Sequence, residues 1–417
     1  VQAERRSASA EPIAANPTHY REGLAWFSPG AGFFRPDSRP SRDLGVLLAR
    51  RLARRAPLRV LDLMAGSGIR SLRYGLEGEA REVWANDADP DRLPLLRANL
   101  AGLPASVAVP PTALTAQRLL ASLMAAGERR ELIDLDAFGY PGALLPAALE
   151  CVAFGGVLYL ASTDGRGPTG HDRPAAVRRY GAAARAHPAP WELALRLQLG
   201  AVARAAWAQG RGIRPLFAFS EGRTFRTAVR VERLPARRQE ERLGLLAHCH
   251  GCGEQLVQPL LRLGRWPACV CPGEPALAVS GPLWIGPLQD PDELEGMAAM
   301  AADSPQTLSP VAAALLARLT ADPGLPARVW PTALIARHLG QGPPRLRALV
   351  TALRAEGHQA GVSAVMAGQL RSDAPWAAVL AAARSLAPQP SPAQPPESVG
   401  EPVWAGPGPG TGRPGSD

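Results

Sequence analysis

Lysine is absent from this 417-residue chain, so all 46 basic side chains are arginine. Against 37 acidic residues they leave a formal net charge of +9. A basic excess suits a polyanionic partner such as nucleic acid. The same arginines, beside abundant Ala, Gly and Pro, also fit a compositional bias, and charge by itself leaves both readings open. No apolar run approaches the roughly 20 residues that span a bilayer. The first fifteen residues lack the apolar core of a secretory signal, so a cytoplasmic protein with no membrane association is expected. Cysteine is scarce, with five in all, which excludes a disulfide-built scaffold. Four of them cluster between Cys249 and Cys271, and Cys151 stands alone in an apolar context that suits a buried, inert thiol. Apolar residues make up 46% of the chain, which excludes disorder throughout and allows two globular domains with a tail.

Short apolar runs alternate with helical patterns. Residues 59–63 form a strand that ends in a glycine turn, and residues 69–77 read as the helix after it. A second strand at 82–86 ends at Asp87, and residues 91–100 carry Leu93, Leu96 and Leu100 at helical spacing. Residues 132–135 read as a buried strand, followed by a helix over about 142–153 and a strand at 156–161. This alternation predicts an α/β fold, a parallel sheet with helices on both faces. A long helix at 191–209 and two strands at 213–220 and 224–232 follow, the strands reading as a closing hairpin. Residues 235–242 read as a linker. Beyond lie the cysteine module, helical regions at 291–319 and 332–357, and from Pro388 a Pro/Gly/Ser-rich stretch expected to be disordered.

Three groups of residues carry chemistry. In Asp62-Leu63-Met64-Ala65-Gly66-Ser67-Gly68 the glycines let a ligand approach the backbone above the sheet. Ser71 stands where a dinucleotide fold would place its third glycine, whereas S-adenosylmethionine carries no phosphate and needs only Gly66 and Gly68. Asp87, about twenty residues on, is placed to accept ribose hydroxyls, and Asp89 before Pro90 is the better helix cap. The second group is Asp134-Leu135-Asp136-Ala137-Phe138-Gly139. An exocyclic amine on a base is a poor nucleophile, because its lone pair is delocalised and attack on a methyl donor builds positive charge on nitrogen. A carboxylate at a strand end can accept the N–H and stabilise that charge, and an aromatic two residues on can stack on the base. Asp136 and Phe138 have this spacing, which leaves Asp134 to structural hydrogen bonding. The third group is Cys249-x-x-Cys252 with Cys269-x-Cys271. Two close thiolate pairs fit a closed tetrahedral Zn²⁺ site, structural rather than catalytic. His248 and His250 flank the first pair, but four cysteines need neither.

With these residues stand Phe33-Phe34-Arg35-Pro36, Ser41-Arg42-Asp43-Leu44, Gly66-Ser67-Gly68-Ile69-Arg70-Ser71-Leu72-Arg73-Tyr74, Ala85-Asn86-Asp87, Ser162-Thr163-Asp164, Arg179-Tyr180-Gly181-Ala182 and Gly281-Pro282-Leu283-Trp284. In this order, over about residues 22–376, the chain resembles the Trm1 family of tRNA (guanine-26) N2-dimethyltransferases.

The resemblance implies a Rossmann-like, class I S-adenosylmethionine-dependent methyltransferase domain at 1–238 with an N-terminal arm over the donor. A smaller zinc-containing α+β domain at 239–387 would hold the tRNA, ahead of the tail at 388–417. It assigns donor binding to Phe34, Arg42, Arg70 and Asp87, beside Asp62, Gly66 and Gly68 of the loop, and catalysis to Asp136 with Phe138. The expected product is N2-methyl or N2,N2-dimethylguanosine at position 26, and no obligate protein partner is evident. Three departures stand out. Ala137 replaces a family proline, an acid expected for the adenine contact is missing near Pro111-Thr112, and a C-terminal motif is reduced to Gly361-Val362-Ser363-Ala364-Val365-Met366. The rival readings are an N6-adenine or N4-cytosine methyltransferase, a catalytically inactive tRNA-binding protein and, last, a dehydrogenase.

Overall fold

A computed structural model describes residues 19–30, 34–269, 271–272, 276–303 and 308–386. The tail expected from residue 388 lies outside the described residues. The chain enters through a small hairpin, β1 (Tyr20–Glu22) and β2 (Ala25–Phe27), and then helix α1 (Arg39–Ala53). Pro40 sits in the first turn of α1, where its missing N–H costs no hydrogen bond, and Leu44, Leu47, Leu48 and Leu52 form its buried stripe.

Strand–helix alternation then runs β3 (Arg59–Asp62), α2 (Ile69–Leu76), β4 (Glu82–Asn86), α3 (Leu93–Leu100), β5 (Ala108–Thr112), α4 (Ala116–Ala125), β6 (Arg130–Asp136), α5 (Leu145–Cys151) and β7 (Val152–Ser162). After α6 (Arg173–Tyr180) and α7 (Pro190–Trp207), the hairpin β8 (Gly212–Glu221) and β9 (Thr224–Glu232) closes a seven-stranded sheet. Its order is β5-β4-β3-β6-β7-β9-β8. Neighbours from β5 to β7 pair in parallel, while β9 runs antiparallel to both β7 and β8. Alternation along each strand divides the core between the two faces. Val60, Val83 and Leu132 pack with α1, α2 and α3 on one side. Leu61, Ile133 and Leu135 pack with α4, α5 and α7 on the other.

Two expectations need correction. The helix expected over 142–153 ends at Cys151, and Val152 already belongs to β7. The strand begins early because Gly156 lets it lie close to β6, where a Cβ would come within 2.7 Å of the Glu131 carbonyl oxygen. The presumed linker at 235–242 is anchored. Gln239 is buried, accepts Trp207 Nε1 at 2.8 Å and donates to the Ile213 carbonyl at 2.6 Å.

Three strands, β10 (Leu243–His248), β11 (Gln255–Pro259) and β12 (Ala278–Trp284), form a sheet in the order β11-β10-β12. Helices α8 (Pro291–Asp303) and α9 (Pro310–Thr320) follow, then β13 (Val329–Pro331), α10 (Thr332–Leu339), α11 (Leu346–Ala355), β14 (Ala360–Val362), β15 (Gln369–Ser372) and α12 (Trp376–Ser385). Strands β13, β15 and β14 make a second small sheet over a core of Trp330, Leu349, Leu370 and Trp376. The packing shows no break at the expected 238/239 division. Leu294 and Met297 of α8 and Leu315 and Leu316 of α9 join the same apolar cluster as α1, and the described residues up to Leu386 belong to one compact unit. Buried ion pairs knit the two parts, with Glu192 of α7 at 2.7 Å from Arg371 of β15. No described helix is long and apolar enough to cross a membrane.

Candidate active site and metal centre

After β3 the chain builds outward to β5 and then returns to place β6 on the other side of β3. Such a reversal leaves a crevice at the carboxyl ends of the strands. A cavity of about 380 Å³ opens there, walled by Phe34, Arg42, Gly66, Arg70, Asp87, Asp136 and Phe138 among others. Seven of the nine residues expected for donor binding and catalysis thus meet at one place. Asp62 and Gly68 are not on the wall. Asp62 is buried beneath the loop and accepts Ser71 Oγ at 2.7 Å. Gly68 begins α2 at φ +78°, where a Cβ would sit 2.9 Å from Leu96.

On the donor side the Gly66 N–H donates to Asp87 Oδ2 at 2.9 Å, and the Asp89 N–H to Asp87 Oδ1 at 3.0 Å. The second strand's acid therefore braces the glycine loop, and each of its oxygens retains a lone pair for another donor. Asp89 caps the following turn by accepting the Asp91 N–H at 3.0 Å. The N-terminal arm forms the opposite wall. Glu22 of β1 is buried and takes Arg42 through two bonds, at 2.7 and 2.6 Å, and Arg73 at 2.9 Å. Arg42 lies 5.2 Å over the Phe34 ring, which packs edge-on against Tyr20 and Phe27. Phe33 lies outside the described residues.

Asp136, at the end of β6, is 28% exposed on the cavity wall. Its Oδ2 accepts Arg70 Nε at 3.1 Å and Arg226 Nη2 at 3.2 Å. Burial alone would raise this carboxyl, but the two guanidiniums outweigh it and hold it at about 2, so it is an anion at neutral pH. Asp134 is buried two residues earlier, receiving Tyr74 Oη at 2.5 Å and Arg70 Nη1 at 3.3 Å. Burial pushes its carboxyl up against the pull of Arg70. The two acids on one strand face thus sit in opposite environments. Phe138 is 77% exposed, which excludes core filling. Its neighbour Gly139 is fixed, donating its N–H to Thr163 Oγ1 at 2.7 Å and accepting Ser162 Oγ at 3.0 Å.

Arg226 and Glu221 were not foreseen from the sequence: Arg226 is one of two arginines in β9, and Glu221 ends β8. Thr112, where the adenine-contacting acid was expected, bonds Asn86 and Trp84 instead and is not on the cavity wall.

The four cysteines converge in the C-terminal part. Their sulfurs all lie within 4.8 Å of one another, with pairs at 3.3, 3.5 and 3.8 Å. Zn–S bonds of about 2.3 Å at tetrahedral angles need sulfurs about 3.8 Å apart. Gly251 completes the fit, since a Cβ there would lie 2.9 Å from Cys271 Sγ. The donor set suits a structural Zn²⁺, and neither His248 nor His250 belongs to it.

A family model described as N2,N2-dimethylguanosine tRNA methyltransferase matches residues 21–384. The chain belongs to this family. The tRNA (guanine(26)-N(2))-dimethyltransferase of Methanosphaerula palustris is 33% identical over 359 residues, covering 84% of this chain and 91% of that protein. The protein of the same name from Aeropyrum pernix is 32% identical over 85% of this chain and 89% of its own length. The solved complex of Trm1 from Pyrococcus horikoshii with S-adenosyl-L-methionine shares the fold at a TM-score of 0.75 and 26% identity, over 87% of this chain and 99% of that one. Membership in the N2,N2-dimethylguanosine tRNA methyltransferases agrees with the expected methyltransferase fold, with a cavity suited to S-adenosylmethionine and with a Cys₄ centre.

Proposed function

We propose that this chain transfers one or two methyl groups from S-adenosylmethionine to N2 of guanine 26 in tRNA. The observation that carries the reading is an ionised carboxylate, Asp136, beside an exposed aromatic, Phe138, on the wall of the cavity that also holds Asp87 and the glycine loop. S-adenosylmethionine supplies a methyl group activated on a sulfonium. Asp87 accepts its ribose hydroxyls, Gly66 gives it room, and Phe34 and Arg42 close the arm over it. The guanidiniums of Arg42 and Arg70 bond protein acceptors, which fixes both residues in the wall.

Phe138 stacks on the extruded guanine and Asp136 accepts an N–H of its 2-amino group. As the N–C bond forms and the C–S bond breaks with its electron pair going to sulfur, positive charge grows on N2. The anionic carboxylate stabilises that charge and takes the proton that N2 must lose. The zinc centre and the small sheets grip the tRNA body, and arginine–phosphate contacts make binding fall steeply with salt.

The test is a tRNA transcript carrying hypoxanthine at position 26, which lacks only the 2-amino group. Labelled methyl should enter the guanine-26 transcript and not this one. Equal labelling of both would favour an N6-adenine or N4-cytosine enzyme, and tRNA binding without labelling of either would favour an inactive binding protein.

A further inference from the structure

A closed ring of hydrogen bonds surrounds Asp136. Its Oδ2 receives both Arg70 and Arg226. Arg226 Nε donates to Glu221 Oε2 at 3.0 Å, and Glu221 Oε1 accepts the Ser41 N–H at 3.0 Å. Ser41 Oγ in turn accepts Arg70 Nη2 at 3.0 Å, which completes the circuit. Strand register explains the reach. Asp136 lies opposite Ala161, and Ala161 opposite Arg226, so the one residue between acid and guanidinium is a short alanine. Arg226 is buried, and a buried guanidinium shared between two carboxylates holds a fixed fork geometry. Among the described residues, the hydrogen bonds of the Asp136 carboxylate fall on Oδ2. Its Oδ1 is the oxygen left for a substrate N–H.

We propose that Arg226 is a positioning residue for methyl transfer: with Arg70 it anchors Asp136 Oδ2 and so presents Oδ1 to the exocyclic amine, while Glu221 ties this anchor to the start of α1 beside the donor. The proposal rests on the methyl transfer to guanine N2 proposed for this site. Arg226 lines the same cavity, and the role proposed for it runs through Asp136. An acid anchored by one oxygen meets the amine without reorienting in the transition state, so the benefit belongs to the chemical step rather than to binding.

The test uses the full chain, S-adenosylmethionine and an unmodified tRNA transcript. Arg226→Gln should lower the single-turnover rate by about 10²-fold, the scale of losing one preorganised charged contact. Donor affinity and the KM for tRNA should stay within about twofold of wild type, because the lost interaction is specific to the transition state. Arg226→Lys restores the charge without the fork and should recover part of the rate. Glu221→Gln, which loosens Arg226 and leaves it in place, should cost roughly tenfold, and it carries the test if Arg226→Gln does not fold. Wild-type rates in both Arg226→Gln and Glu221→Gln would overturn the proposal. So would a loss in Arg226→Gln that falls equally on donor affinity and is not relieved by lysine, the pattern of a merely structural residue. A wild-type chain that forms no N2-methylguanosine would overturn the proposed function itself, and the positioning role with it.

Discussion

Replacing Asp136 by asparagine preserves size and removes charge, and the surrounding geometry sets the cost. Two guanidiniums meet at Oδ2, so the single amide oxygen must stay there. The NH₂ group then occupies the place of Oδ1 and faces the guanine amine donor to donor. The variant forfeits a charge-assisted hydrogen bond worth roughly 1.5–3 kcal/mol and adds an unmatched donor costing about 1–3 kcal/mol. Together these predict a rate lower by about 10²- to 10⁴-fold, the range of general acid–base assistance. The fold should persist, because Arg70 keeps Asp134 and Ser41, and Arg226 keeps Glu221. Single-turnover methylation at saturating tRNA and donor reads the chemical step, and calorimetry should find donor affinity unchanged. Asp134→Asn is the control. It weakens the contacts of Tyr74 and Arg70 and should lower the melting temperature with less effect on the rate. Near-wild-type chemistry in Asp136→Asn, with the loss in Asp134→Asn instead, would refute the reasoning and move the catalytic acid two residues earlier.

Asp87→Ala removes the brace of the Gly66 loop and the acceptor proposed for ribose; with each charge-assisted bond worth roughly 1.5–3 kcal/mol, donor affinity should fall by tenfold or more, and unchanged calorimetry would take Asp87 out of the site. About one equivalent of zinc should co-purify with the chain, and Cys252→Ala should perturb Trp330, which donates to the Gly253 carbonyl at 2.8 Å, before donor binding suffers. Full activity in metal-free protein would contradict that. Glu192 is a third case: burial raises its carboxyl, but Arg371 and Arg196 outweigh burial and hold it at about 2. A depressed carboxylate contributes stability above its unfolded pKa and loses it on acidification, so the stability gap between wild type and Glu192→Gln, about 3 kcal/mol at neutral pH, should shrink as pH falls from about 4.5 toward 2. A gap that did not vary with pH in urea titrations would refute it.

What was legible in the chain was local. Strand, glycine turn and helix follow one another within a few residues, so β3, the loop and α2 could be read from their order. Alternation along β6 put Asp134 and Asp136 on one face, and cysteine spacing announced the tetrahedral set. Contacts between distant segments were hidden. Arg226 reaches Asp136 from 90 residues away, and only the order β6-β7-β9 and the shortness of Ala161 bring them together. In a chain whose every cation is arginine, nothing about that one stood out. Gln239 was misread for the same reason: its partners Trp207 and Ile213 lie upstream, and a polar, charged segment reads as linker until its fold partners are known. The division at 238/239 fell inside the charged stretch read as a linker, whereas α8 and α9 pack in the same apolar cluster as α1.

The central claim is that Asp136 serves the 2-amino group of a guanine, and the most direct measurement is the identity of the methylated nucleoside. Purified chain, labelled S-adenosylmethionine and an unmodified tRNA transcript should yield, after digestion to nucleosides, N2-methylguanosine and N2,N2-dimethylguanosine from position 26, strongly diminished in Asp136→Asn. Label recovered instead as N6-methyladenosine or N4-methylcytidine, or at wild-type level in Asp136→Asn, would contradict the account.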